Sequence, residues 1–292
     1  MNPALRNFRA NVTSRAGEDG IIAEIFRRVG INSKWCVEFG AVNGTHDSNV
    51  WTLIKNEGWS GVLIEADKTY FEKLPETYKD SPQAICLNHF ISFEGEQRLD
   101  AVFARTPLPK DFDLVSIDID GNDYHVWESL VEYRPRVVVV EFNPSIPNDI
   151  EFVQPRDMRV QQGSSLLALT KLAQKKGYEL VEVTGTNAFF VDASLLPLLD
   201  LADRSLDSLH GDTEYYTRLF QLYDGTLVLD GCQELLWHRL PIKQEDIQVL
   251  PPRRRVYPAG ISAHAPVRSL TYWVRRLPVY PLLMRIKKWI IR

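Results

Sequence analysis

The sequence predicts an α/β fold: a parallel sheet with helices on both faces, closed by an antiparallel hairpin and followed by a C-terminal extension. Three observations predict it. Apolar runs of strand length alternate with stretches of helical periodicity between residues 19 and 176. The run Val137-Val138-Val139-Val140 is apolar at every position, as a strand buried on both faces must be. Two further strand-like runs, Tyr178 to Val183 and Ala188 to Val191, are joined only by Thr184-Gly185-Thr186-Asn187. A parallel pair needs a crossover of about a dozen residues or more, so a link this short requires a hairpin.

The elements follow in order. Asp19 can cap a helix whose apolar positions Ile21, Ile22, Ile25, Phe26 and Val29 share one face, and Gly30 ends it. Trp35 to Phe39 is the first strand, and Asp47 or Ser48 can cap a helix running to about Asn56. Gly61 to Glu65 is the second strand, a polar helix spans about Lys68 to Tyr78, and Ala84 to Leu87 is the third strand. Phe112 to Ile117 is the fourth strand, Asn122 to Val131 a helix, and Arg136 to Phe142 the fifth strand. Ser164 or Ser165 caps a helix from Leu166 to Lys176 that Gly177 terminates. Beyond the hairpin, helices are expected at Leu195 to Leu201 and Tyr215 to Leu222, with a short strand inside Asp224 to Gly231. The chain therefore reads as a core of residues 1–195, an extension of 196–250 and a tail of 251–292.

Composition bounds the class. A chain of 292 residues with 45% hydrophobic and 25% charged residues is that of a soluble globular protein with a sizeable core. Cys36, Cys86 and Cys232 are scattered, which argues against a disulfide framework and against a zinc site. Met1 to Arg15 has no apolar segment of the secretory kind, so a cytoplasmic location is expected. The net charge of −4 conceals an asymmetry: residues 1–246 hold 24 basic and 38 acidic residues, whereas 247–292 hold ten basic and no acidic ones. In the tail, Trp273, Val274, Leu277 and Tyr280 precede Leu282, Leu283, Ile286, Trp289 and Ile290 at helical spacing. Arg275, Arg276, Arg285, Lys288 and Arg292 are interleaved with them. These runs are too short to span a bilayer, and they suit the plane of an anionic membrane surface or, alternatively, docking on protein. A peripheral position on the inner face of a membrane is the corresponding expectation. The acidic body argues against a nucleic-acid partner.

The most informative stretch is Glu38-Phe39-Gly40-Ala41-Val42-Asn43-Gly44, which lies at the end of the first strand. Glycines there let the backbone approach a ligand closely. Glu65 stands at the end of the next strand, where a carboxylate can accept both hydroxyls of a ribose. The glycine that would admit a pyrophosphate is replaced by Val42, which favours S-adenosyl-L-methionine over NAD. The terminal hairpin points the same way: parallel βα units closed by such a hairpin form the Rossmann-like methyltransferase sheet.

Ser14-Arg15-Ala16-Gly17-Glu18-Asp19-Gly20, Val37-Glu38-Phe39-Gly40-Ala41, Ile64-Glu65-Ala66-Asp67 and Ile117-Asp118-Ile119-Asp120-Gly121-Asn122-Asp123 resemble the motifs of FkbM-type S-adenosylmethionine-dependent methyltransferases. Val139-Val140-Glu141-Phe142-Asn143 and the stretch from Gly163-Ser164-Ser165 to Phe190 fit the same pattern, so the resemblance covers roughly residues 14 to 192. It implies methyl transfer to oxygen, often on sugars of natural products or on surface glycans; a membrane-bound tail would place such an enzyme beside lipid-linked glycan acceptors. One departure stands out: the family's D-x-E-G-x-E is represented by Asp118, Asp120, Gly121 and Asp123, whose carboxylates are shorter.

Methyl transfer requires a held donor, an aligned acceptor and removal of the acceptor proton. Glu38, Gly40, Gly44, Glu65, Asp67 and Asn88 are the donor-side candidates, with His89 and Phe90 near the adenine edge; Asp67 can equally cap the next helix. Asp118 and Asp120 follow the fourth strand, and Glu141 and Asn143 close the fifth. Asp118, Asp120 and Glu141 could hold Mg²⁺, or one carboxylate could act alone as base. Asp120 and Asp123 could instead cap the following helix. His125 is the imidazole candidate for proton removal, and His46 is a second. The other readings are transfer to another small molecule or to nitrogen, and a nucleotide-binding module of the same fold without turnover.

Overall fold

The computed structural model describes residues 2–211 and 214–258. The chain divides into two compact units, Met1–Thr217 and Arg218–Arg292. The amphipathic segments expected within 273–292 lie outside the described residues.

The first unit is a seven-stranded sheet. Its strands are β1 (Trp35–Phe39), β2 (Ser60–Glu65), β3 (Ala84–Asn88), β4 (Leu114–Ile117), β5 (Val137–Glu141), β6 (Tyr178–Val183) and β7 (Asn187–Asp192). The order is β3-β2-β1-β4-β5-β7-β6. β1 to β5 run parallel, and β7 pairs antiparallel with both β5 and β6. This is the Rossmann-like class I methyltransferase sheet, and the Thr184–Thr186 link makes the expected hairpin.

Alternation along the strands divides the core into two layers. Val37, Phe39, Val62, Ile64, Val115, Ile117, Val138 and Val140 point into one, while Cys36, Leu63, Leu114, Val137 and Val139 point into the other. Trp127 anchors the first layer and Trp59 the second, both fully buried.

The helices are α1 (Glu18–Val29), α2 (Trp51–Lys55), α3 (Lys68–Phe71), α4 (Leu74–Thr77), α5 (Leu99–Phe103), α6 (Asp123–Ser129), α7 (Leu166–Lys176), α8 (Leu196–Leu199) and α9 (Leu206–Leu209). Ser165 caps α7 by accepting from the Ala168 N–H, and Gly177 ends it in the left-handed region. Four expectations are corrected. Asp19 lies within the first turn of α1, and Gly17 precedes the helix without a side-chain cap. Asp19 Oδ2 instead accepts the N–H groups of Val12, Thr13 and Ser14 at 2.8, 3.0 and 2.9 Å, so it organises the loop before the helix. The single helix expected over 68–78 is two short ones, with Pro75 in the first turn of the second. The helix after the glycine turn spans only Trp51–Lys55. Tyr215 to Leu222 is not helical: Thr217–Gln221 forms a strand, β8.

Among its described residues the second unit contains two small hairpins and a short 3-10 turn, Pro252–Arg254. β8 pairs with β9 (Leu227–Gly231) across a turn in which the Leu222 and Thr226 backbones bond. β10 (Glu234–Leu235) pairs antiparallel with β11 (Leu240–Pro241). Gln248 and Gln244 supply β9 with side-chain partners. Gln248 bonds both the N–H and the carbonyl of Leu227, and Gln244 accepts from the Leu229 N–H. Tyr215 to Leu222 was misread because its alternation is weak and strand pairing, not local periodicity, decides it.

Candidate active site

The carboxyl ends of β1, β2, β4 and β5 lie at one edge of the sheet, where ligands bind in open α/β folds. Gly40 leaves β1 with φ 77°, and a Cβ there would stand 1.9 Å from the Asp118 carbonyl oxygen. Only glycine lets the two strand ends approach so closely. Gly44 has φ 80°, and a Cβ there would lie 2.6 Å from Tyr78 Cε2. Between them Val42 holds φ 48°, a costly conformation for a β-branched residue. Glu65 keeps it there: Oε2 accepts the Val42 N–H at 2.8 Å, and Oε1 accepts the Asp67 N–H at 2.7 Å. Each Glu65 oxygen retains a lone pair for a ligand hydroxyl.

The other donor-side candidates are committed elsewhere. Glu38 is buried and accepts from the Ser48 hydroxyl and the Asn49 N–H, both at 2.7 Å. Burial raises its carboxyl to about 7. It therefore braces the loop behind the glycine turn. Asp67 caps α3, accepting from the Thr69 and Tyr70 N–H groups at 2.7 and 3.1 Å, and these bonds lower its pKa. Asn88 turns its amide onto the carbonyls of Glu65 and Ala66, tying β3 to β2. Phe90 is exposed rather than core.

Asp118, Asp120 and Glu141 do converge: one carboxylate oxygen from each lies within 4.8 Å of the others. Asp118 and Asp120 are held by the β4–α6 turn, with Asp120 at φ 57°. Burial, followed by the charge of Asp120, raises Asp118 to about 6. Burial, followed by the charge of Asp118, raises the Glu141 carboxyl well above its ordinary range. Asp123 is different. Its oxygens each accept one N–H, from Ile119 and Gly121, both at 2.9 Å, so it braces the turn rather than capping the helix. Burial raises it to about 7. Asn143 is spent on its own turn, accepting from the Ser145 N–H and hydroxyl and donating to the Gln162 carbonyl.

His125 is buried against another loop. Its Nε2 lies 2.9 Å from the Gln154 carbonyl, so this nitrogen carries the proton and donates. Its Nδ1 is buried without a hydrogen-bond partner, 3.8 Å from Glu128. Through its Nε2 bond His125 helps hold the loop that carries Gln154. His46 is exposed, with Nε2 3.4 Å from the Asp47 carboxylate.

Two features went unassigned from the sequence. Arg15 is ion-paired with Asp47, and its charge also favours the ionised form of Asp118. The long β5–α7 loop is built around Gln154, whose Oε1 accepts from both Gln162 and Gly163, each at 3.0 Å. Asn122 donates to the Asp157 and Val160 carbonyls of that loop at 3.2 and 3.1 Å. The loop's length was the available signal, since ordered loops this long are commonly functional.

No protein-family model and no curated protein matches the chain. Among solved structures, the CurJ carbon methyltransferase shares 11% identity over 60% of this chain and 52% of its own, with a TM-score of 0.39. A SAM-dependent methyltransferase from Aquifex aeolicus shares 13% over 58% of this chain and 87% of its own, with a TM-score of 0.35. The N-terminal domain of EvdMO1, solved with SAH and D-fucose, shares 10% over 60% of this chain and 80% of its own, with a TM-score of 0.38. The chain spans 62%, 46% and 52% of the length of three of the solved methyltransferases that it matches. The strand order, not these likenesses, establishes the fold.

Proposed function

We propose that the protein is an FkbM-type, S-adenosyl-L-methionine-dependent O-methyltransferase acting on a hydroxyl of a sugar or glycan. The observation that carries this reading is the placement of Asp118. Its carboxylate stands at the carboxyl edge of the sheet with an oxygen within 4.8 Å of those of Asp120 and Glu141, and burial raises it to about 6. A carboxylate so placed is suited to accept the proton of a hydroxyl. The donor side fits as well: the glycine turn passes where no side chain could, and Glu65 keeps lone pairs for a ribose. When bound, the donor supplies an electrophilic methyl group. Within the chain, Glu65 and the turn orient the donor, Asp118 receives the acceptor proton, and Arg15 favours the ionised form of Asp118. The sugar class follows from the motif resemblance.

A second reading has its own observation. The convergence of Asp118, Asp120 and Glu141 suits a hard divalent cation such as Mg²⁺. The two readings are separated by one assay with labelled S-adenosylmethionine and a panel of sugar, glycan and amine acceptors. Transfer to hydroxyl acceptors that survives chelation supports Asp118 as base. Loss on chelation with recovery by Mg²⁺ supports the metal. Calorimetry in which NAD binds and S-adenosylhomocysteine does not would overturn the donor assignment.

A further inference from the structure

The two units differ in charge sign and in surface. Residues 1–217 hold 21 basic and 33 acidic residues, whereas 218–292 hold 13 basic and 5 acidic. The second unit also exposes large apolar side chains. On the first hairpin these are Leu219, Phe220 and Tyr223, the last 88% exposed in the turn. On the second they are Leu235, Trp237 and Leu240, with Trp237 60% exposed. Arg239, also exposed, lies between Trp237 and Leu240 at the same tip. Soluble surfaces scatter such residues singly; here each of the two hairpins of one small unit presents an aromatic in its turn.

We propose that the second unit docks the protein on an anionic lipid surface, its hairpin-tip aromatics entering the headgroup layer and its basic C-terminal segment neutralising lipid charge. Trp and Tyr favour that interface because one end of each ring system is apolar and the other polar. Each Lys or Arg near an anionic surface adds about fivefold in affinity. The acidic first unit is repelled by the same surface, so attraction is confined to one part of the molecule. No helix among the described residues is long and apolar enough to cross a membrane, and the contact proposed is with the surface. A nucleic acid would answer the basic residues but not the apolar tips, and the acidic unit would oppose it.

The test is co-sedimentation of the full chain with vesicles of phosphatidylcholine, alone or mixed with phosphatidylglycerol. Binding is expected on the mixed vesicles only, with release by high salt. Replacing Arg285, Lys287 and Lys288 together by Gln should weaken it by about 100-fold. Tyr223→Ser combined with Trp237→Ser should weaken it by about tenfold, with an unchanged circular-dichroism spectrum. Should that pair of changes unfold the second unit, the Gln variant decides alone. Equal binding to both vesicle types, no binding, or binding insensitive to the Gln variant overturns the proposal. So does a dimer in light scattering that the Tyr223/Trp237 variant dissolves, if vesicles are ignored: the tips would then meet a second copy. Binding to RNA in preference to the mixed vesicles overturns it as well.

Discussion

Two aspartates flank the same strand and are treated in opposite ways. Asp113 precedes β4 and is fully buried. It accepts the N–H groups of Asn32, Ser33 and Lys34 and pairs with Arg136 at 2.7 Å. Asp118 follows β4. Among the described residues no N–H group donates to its carboxylate, and its close neighbours are the carboxyl groups of Asp120 and Glu141. A buried carboxylate surrounded by donors is part of the scaffold. One surrounded by other acids costs stability and is useful only to a ligand. The same division separates Asp123 and Glu38, whose oxygens are bonded, from the acid cluster.

The largest effect expected from breaking this contrast is on folding. Asp113→Ala leaves Arg136 and the N–H groups of Asn32, Ser33 and Lys34 without this buried acceptor, and should cost about 3–5 kcal/mol in denaturant unfolding. Asp118→Asn should instead leave stability unchanged or raise it, because it removes a charge that burial disfavours. If both substitutions destabilise alike, the two aspartates are doing the same work.

The second effect is on pH. Glu38 and Asp123 are raised to about 7, Asp118 to about 6 and Glu141 to about 10, all above their unfolded values. The folded state therefore holds more protons than the unfolded one once pH exceeds about 4. Stability should fall as pH rises from there through 7, and more gently on to 10, the opposite of acid denaturation. A denaturation midpoint higher at pH 8 than at pH 5 would show that these carboxyls are not the dominant titrating groups.

The smallest effect is at His125. Because its bond goes to the Gln154 carbonyl, His125→Gln can still donate there, and turnover should change by less than about tenfold. A loss as large as that of a catalytic base would return the imidazole to the mechanism.

Much of this was legible in the sequence, and the reason is strand chemistry. The valine run of β5, the strand-end acids and the four-residue hairpin link each have few physical solutions, so strand direction and the candidate site edge can be read directly, whereas the order of the strands cannot. Side-chain commitments could not. Glu38, Asp67, Asn88 and Asn143 carry the same polar groups as a binding site, and only the folded backbone shows that loop and helix N–H groups or strand-end carbonyls engage them. The Arg15–Asp47 pair joins residues from two separate loops, and no local pattern announces it. Thr217–Gln221 was misread because its partner strand, not its own periodicity, makes it a strand.

The central claim is that Asp118 removes the acceptor proton while the glycine turn and Glu65 hold the donor. The most direct test is turnover of Asp118→Asn with labelled S-adenosylmethionine, alongside calorimetry of S-adenosylhomocysteine on the same variant. The account predicts turnover reduced by about 100-fold or more with donor affinity within a few-fold of wild type. Turnover equal to wild type, or donor binding lost together with activity, would contradict it.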